Sequence, residues 1–282
     1  MKYKELKALY INELNGLYNE EESAGLFYIT LSKLTGYNRI QYLEQQQNLI
    51  EQDPLDNFHN ILAQLKLGKP IQYILEEAHF YGLRFKVSPD VLIPRDETEE
   101  LVDLIIRDVK SAPEISKTLL DVGTGSGCIA ISLKSKIERL QVSALDVSAG
   151  ALAIAKENAH FHQLPIEFIQ ADVLNYQTAE KFDIIVSNPP YIREGEKEAM
   201  SINVLEHEPH TALFVSNEDP LIFYKAIATL ALKSLNPSGR LYFEINEHLG
   251  PEMVEMARGM GFRHIRLIKD MQQKDRILRC EL

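Results

Sequence analysis

Cysteine is scarce, with two in 282 residues. That excludes a disulfide scaffold and fits a reducing, cytoplasmic setting. Long apolar runs are missing as well. None approaches the ~20 residues that span a bilayer, so no membrane role is expected. The opening MKYKELKALY reads as an amphipathic helix and lacks the apolar core of a secretory signal. Positive charge is in deficit, with 30 Lys and Arg against 41 Asp and Glu. Both halves share the deficit: residues 1–90 carry net −3 and residues 91–282 net −8. No basic patch emerges, so direct binding of nucleic acid is not expected. No repeat recurs at a solenoid period.

What is present divides the chain in three. Residues 1–76 read as a small helical bundle. Leu6, Leu9, Tyr10 and Leu14, then Phe27, Leu31 and Leu34, recur at helical spacing, and Gly36 and Gly68 stand at expected helix ends. Residues 77–95 read as a β-hairpin connector, with Phe80, Phe85 and Val87 set around Gly82 and prolines at 89 and 94. From residue 96 to 282, helices alternate with strands at 118–122, 141–146, 166–171, 182–187, 241–245, 262–268 and 276–280. A helix is expected over 219–234, stopped by Asn236-Pro237-Ser238-Gly239. The alternation predicts an α/β, doubly wound, mostly parallel seven-stranded sheet. The connection from Lys269 to Asp275 is too short for a crossover helix, so the last two strands should pair antiparallel.

The first strand runs into Gly123-Thr124-Gly125-Ser126-Gly127. A dinucleotide fingerprint needs G-x-G-x-x-G, and its third glycine would fall on Cys128. The observed G-x-G-x-G instead resembles the turn of class I methyltransferases, whose cofactor is S-adenosylmethionine. Glycines let a ligand approach the backbone because they lack Cβ and tolerate positive φ. Asp146 ends the second strand, 19 residues after Gly127, where an acid accepts hydrogen bonds from ribose hydroxyls. Asp172 ends the third strand and Val173 follows it, at the turn that lies beside adenine in this fold. All these points fall at carboxyl ends of strands, where the ligand crevice forms.

Asn188-Pro189-Pro190-Tyr191 follows the fourth strand directly. The prolines fix φ and lack N–H groups, and the residue before a proline is held extended. The loop therefore offers two acceptors, the Asn188 side-chain oxygen and the Pro189 carbonyl, with Tyr191 able to cover a planar group. Such a pair suits an sp² NH₂ group. Acceptors on its two hydrogens stabilise the positive charge that develops on nitrogen during attack on a sulfonium methyl. Asn188, Pro189 and Tyr191 are the expected catalytic residues. The motif alone leaves adenine, cytosine and a glutamine amide open as substrates.

The whole chain narrows the choice. Ile93-Pro94-Arg95-Asp96-Glu97-Thr98-Glu99-Glu100-Leu101, the glycine turn, Ser187-Asn188-Pro189-Pro190-Tyr191 and Glu206-His207-Glu208-Pro209-His210-Thr211-Ala212-Leu213 occur in that order. Together they resemble the release-factor glutamine methyltransferases. Gly68-Lys69-Pro70-Ile71-Gln72-Tyr73 and Phe80-Tyr81-Gly82 fit that family too. The resemblance covers about residues 60–282. It implies transfer of a methyl group from S-adenosylmethionine to the glutamine amide of the Gly-Gly-Gln motif in class 1 peptide chain release factors. It also implies that residues Gly123 to Gly127, Asp146, Val173 and Asn188 contact the cofactor, and that Asn188 to Tyr191 hold the substrate amide. The helical segment is then expected to recognise the protein partner. The rival is an adenine amino-methyltransferase acting on DNA or RNA, which the acidic charge of both segments disfavours. Two departures stand out. The family often has Glu-x-Gly followed by Gln after the fifth strand, where this chain has Glu244-Ile245-Asn246 and then His248-Leu249-Gly250. It often has an aromatic residue where this chain has Val173, so less packing on adenine is expected.

Other residues receive plainer readings. No metal site is expected at His207 and His210, since Pro209 intervenes and no third ligand is spaced nearby. His160 and His162 read as solvated helix-end residues, and Glu206 and Glu208 as solvated acids. Cys128 is expected to pack against the sheet rather than act as a thiolate. Arg95 and Thr98 stand between two readings: an approach to the methionine end of the cofactor, or an ion pair with nearby acids and a helix start.

Overall fold

The computed structural model describes residues 1–111, 117–199 and 202–282. In chain order, helices α1 (Tyr3–Leu14), α2 (Glu20–Thr35), α3 (Arg39–Gln45), α4 (Gln52–Leu65) and α5 (Ile71–Leu75) precede the hairpin β1 (Glu77–Phe80) and β2 (Leu83–Lys86). Then come α6 (Asp96–Ser111), β3 (Thr118–Val122), α7 (Cys128–Lys136), β4 (Gln141–Asp146), α8 (Ala149–Phe161), β5 (Glu167–Gln170) and β6 (Phe182–Ser187). A short strand β7 (Ile192–Arg193), a 3-10 helix Glu194–Ala199, α9 (Ile202–His207), α10 (His210–Leu213) and β8 (Phe214–Val215) follow. The chain ends with α11 (Ile222–Ser234), β9 (Leu235–Glu244), α12 (Gly250–Gly259), β10 (Arg263–Lys269) and β11 (Asp275–Glu281). It divides into two compact units. One is Met1–Glu76 with Ser201–His207, and the other is Glu77–Met200 with Glu208–Leu282. Among the described residues, no helix is long and apolar enough to cross a membrane.

In the helical unit the stripe read from the sequence forms the core. Leu6, Tyr10, Leu14, Phe27, Leu31, Phe58 and Leu65 are fully buried. Burying each such side chain is worth about 1.5–3 kcal/mol. The Tyr10 hydroxyl donates to the Phe58 carbonyl at 2.8 Å, so its polar tip is satisfied inside that core. Helix ends are closed locally. The Asn19 side chain accepts from the Glu22 amide, while the Glu22 carboxylate accepts from the Asn19 amide. Asn38 and Gln41 repeat this at α3. Gly36 ends α2 at φ +75°, a conformation that glycine adopts without strain.

In the sheet unit, seven strands lie in the order β10-β11-β9-β6-β3-β4-β5. β3 is parallel to both β4 and β6, and β6 to β9, while β11 runs antiparallel to β9 and β10. Side chains alternate between two cores, as the period of a strand demands. Leu119, Ile184 and Val186 face a core built with α6, α7 and α8. Leu120, Val122 and Ile185 face another built with α11 and α12. The chain leaves β3 toward β4 and later returns to β6 on the other side. That reversal places a topological switch point, and so a crevice, at the carboxyl end of β3.

Two local expectations change. Asn236-Pro237-Ser238-Gly239 does not precede β9 but interrupts it. Leu235 pairs with Phe182 and Arg240 with Ile184, so the four residues loop out as a bulge, with Ser238 at φ +67°. Helix α11 starts at Ile222 rather than 219, because Asp219 turns the chain first and accepts from the Leu221 amide through its side chain.

Candidate active site

The glycine turn folds back over the end of β4. The amides of Gly123 and Thr124 both donate to the Leu145 carbonyl, at 2.8 and 3.0 Å. Gly123, Gly125 and Gly127 have φ of +73°, +55° and +81°. A Cβ at 123 or 125 would meet no protein atom within 4 Å, so these two edges open onto the crevice. Gly127 is different. A Cβ there would lie 2.9 Å from Ile131 Cδ1 and 3.3 Å from Ala155 Cβ. It lets α7 start against α8 and does not line the pocket. One side chain braces the turn. The Asn158 amide nitrogen donates to the carbonyls of Ser126 and Lys86, and its oxygen accepts from the Lys86 amide at 2.7 Å.

Three acids ring this end of the sheet. Asp146 Oδ2 accepts from the Gly125 amide and Oδ1 from the Ser148 amide, both at 2.9 Å. Burial raises its pKa against those amides. Asp121 is fully buried, and burial pushes it up to about 7 although the Thr124 hydroxyl donates to Oδ2. Its Oδ1 and the neighbouring Ser126 Oγ are buried without a well-formed hydrogen bond, although the Ala130 amide favours the Asp121 charge and Ser126 favours the Cys128 thiolate. Glu244, at the end of β9, is also pushed up to about 7 by burial, with Thr98, Arg276 and Tyr191 favouring the charge and Glu97 opposing it.

One pocket gathers the residues expected from the sequence: Gly123 to Ser126, Asp146, Asp172, Val173, and Asn188 to Pro190. Asp172 also serves its own turn, since its side chain accepts from the Leu174 amide. Tyr191 is not in the lining. Its ring packs in the core beneath α11, and its hydroxyl lies 3.5 Å from Glu244 Oε1. The Ser187 hydroxyl ties the end of β6 to the Val122 carbonyl at 2.6 Å, which fixes where Asn188 emerges.

Some plain readings give way. Glu208 is not solvated. It is 4% exposed, pairs with Arg95 at 2.6 Å and accepts from the Ile93 amide. Arg95 thus finds its partner 113 residues away rather than among the adjacent acids. His162 is not free in solvent either, since its Nε2 lies 2.7 Å from the Arg84 carbonyl and its ring packs on Phe85. His207 reaches the Leu67 carbonyl, and His210 packs edge-on against Phe214. Burial pushes the Cys128 thiol up to about 12, so it stays neutral. Asn246, where the family often has glycine, donates to the Tyr191 carbonyl and to Glu196, at 3.5 and 3.3 Å. Phe223 and Leu92 also line the pocket, and no spacing in the sequence marked them. Glu244 had a positional signal, an acid at a strand's carboxyl end.

The sheet order and the glycine turn at the switch point are those of a class I methyltransferase. A methyltransferase from Pyrococcus furiosus shares the fold, with a TM-score of 0.51 at 18% identity, covering 79% of this chain and 98% of that one. The family described as methyltransferase small domain matches residues 95–213. The release factor glutamine methyltransferase of Flavobacterium psychrophilum is 42% identical over 99% of both chains. That of Bacteroides thetaiotaomicron is 43% identical over 95% of this chain and 96% of its own. The chain belongs to the release factor glutamine methyltransferase family.

Proposed function

We propose that this protein transfers a methyl group from S-adenosylmethionine to the side-chain amide nitrogen of the Gly-Gly-Gln glutamine in class 1 release factors. The observation that carries the reading is Asn188-Pro189-Pro190 at the rim of the pocket that holds the glycine turn, in a chain with full-length relatives of that name. The residues fit a cationic, hydroxyl-bearing cofactor. The edges at Gly123 and Gly125 are open, and Asp146, which lines the pocket, keeps lone pairs beyond its two amide bonds. When bound, S-adenosylmethionine supplies an electrophilic methyl on a sulfonium that leaves as a neutral thioether.

The chain's own groups do the rest. The Asn188 oxygen and the Pro189 carbonyl accept the two amide hydrogens of the glutamine. They hold its nitrogen and stabilise the positive charge it gains, and the methylated nitrogen, now strongly acidic, then loses its extra proton to water without a strong base. Tyr191 supports the loop from the core. Residues 1–76 supply recognition of the release factor. Nucleic acid is not the substrate in this reading, in keeping with the net charge of −11. The test is incubation with labelled methyl donor, a purified release factor and separate nucleic acid. Label is expected in the release factor alone, and label only in nucleic acid refutes the proposal. Asn188→Ala should slow single-turnover transfer by ~10²–10³.

A further inference from the structure

Thr98 stands between two partners. Its Oγ1 lies 2.7 Å from Glu244 Oε2 and 3.3 Å from Asn188 Nδ2. Thr98 and Glu244 are 2% and 1% exposed, so water does not compete for the bond between them. A hydroxyl has one hydrogen to give, and an ionised carboxylate can only accept. The hydrogen of Thr98 therefore goes to Glu244. Toward Asn188 the same oxygen can act only as an acceptor. The side of the Asn188 amide turned to Thr98 must then be its NH₂, and the carbonyl oxygen is turned away from it. With Glu244 ionised, as it is above about pH 7, counting hydrogens fixes this orientation.

We propose that Thr98 and Glu244 are positioning residues that lock the Asn188 amide with its carbonyl oxygen presented to the substrate. The proposal rests on the reading of Asn188 as an acceptor for the substrate NH₂. A flipped Asn188 would set its own NH₂ against that NH₂ and offer nothing to the developing charge. It would also place its oxygen against a hydroxyl with no hydrogen left, or take that hydrogen from a buried carboxylate, which is the stronger acceptor. Burial pushes Glu244 up to about 7, so it carries its charge above that pH, and neighbouring elements modulate that charge. Arg276 on β11 and the Tyr191 hydroxyl favour it, while Glu97 on α6 opposes it.

The surrounding contacts fit this role. Thr98 sits in the first turn of α6, where its amide donates to the Arg95 carbonyl at 3.1 Å. The segment just before it is pinned by Glu208, through the Arg95 side chain and the Ile93 amide. The Ile-Pro-Arg and Glu-Pro segments thus join to hold a hydroxyl in place, 90 residues from the asparagine it orients.

The test is a double-mutant cycle at pH 8.5, read by single-turnover methyl transfer with saturating labelled S-adenosylmethionine and release factor. Thr98→Val keeps shape and removes only the hydroxyl, Thr98→Ala removes it with no added bulk, and Thr98→Ser keeps it. Each is made in the wild type and in Asn188→Ala. Val and Ala should slow transfer by roughly 10-fold or more, and Ser should restore it to within about 3-fold, because an orientation effect follows the hydroxyl. Donor affinity, measured by calorimetry, should stay within about 3-fold in all three, which also reports that the fold is intact. In the Asn188→Ala background, Val should cost nothing further, since coupled residues are not additive. A Val cost that persists undiminished there, a Ser variant as slow as Val, or a Val variant at wild-type speed overturns the locking role alone. An Asn188→Ala enzyme at wild-type speed overturns the acceptor reading and the lock together.

Discussion

The helical unit and the sheet unit use polar side chains in opposite ways. At the ends of α2 and α3, the helical unit closes bonds over three residues, Asn19 with Glu22 and Asn38 with Gln41. Those contacts stabilise the helices that contain them. At its carboxyl end, the sheet unit bonds across the fold, with Thr98 to Glu244 146 residues apart and Arg95 to Glu208 113 apart. It also leaves Asp121 Oδ1 and Ser126 Oγ without a well-formed hydrogen bond. Buried orphans lower stability. The local bonds of the first unit thus close helix ends and the long-range bonds of the second hold segments at the pocket, while buried hydroxyls without a well-formed hydrogen bond occur in both, at Ser23 in α2 and at Ser126 and Ser132 in the sheet unit.

That contrast can be broken at three places. The largest expected effect is on pH dependence in the ligand-free protein. Asp121 is raised from the usual range near 4 to about 7 by burial. The folded state then holds a proton that the unfolded state releases. Stability from this group is complete below about 4 and is lost as pH rises toward 7. Asn accepts the Thr124 hydrogen bond equally well but does not titrate. Asp121→Asn should therefore gain on the wild type in urea denaturation between pH 4 and 7, by a few kcal/mol in all. A constant difference across that range would mean that burial does not raise Asp121. Next in size, Asp146→Ala should weaken S-adenosylmethionine binding ~10–100-fold in calorimetry, since hydrogen bonds to a charged acceptor are worth ~1.5–3 kcal/mol. Unchanged affinity in a folded variant would remove Asp146 from the site. The smallest effect is at the cap of α2. Asn19→Ala should lower unfolding stability by about 1 kcal/mol while donor affinity and single-turnover rate stay at wild-type values. A slowed transfer step there would show that the helical unit does more than fold and recognise.

Legibility in the sequence follows the same division. Leu6, Tyr10 and Phe27 could be read from helical spacing, and the alternation of Leu119, Leu120 and Val122 from strand spacing, because each signal is local. The glycine turn and Asn188-Pro189-Pro190 were readable for the same reason. Glu208 looked like a surface acid because nothing within ten residues of it betrays Ile93 and Arg95 as its partners. Tyr191 was expected over the substrate, yet its ring turns into the core, since a loop's sequence does not say which way its last residue points. Asn236 to Gly239 carried a correct turn signal, but only the sheet shows that the chain resumes the same strand beyond it. Gly127 read as one of three equivalent glycines, and only the position of Ala155 separates it from the other two.

The clasp made by Asn158 has a consequence for motion. One side chain holds both backbone polar groups of Lys86 and the carbonyl of Ser126. Loosening either segment strands part of the Asn158 amide, which is 2% exposed, so opening of the hairpin end and of the glycine turn is coupled through that side chain. The exchange of the Lys86 amide hydrogen with solvent then reports on the turn, and any ligand that quiets the turn protects an amide on a strand it does not touch.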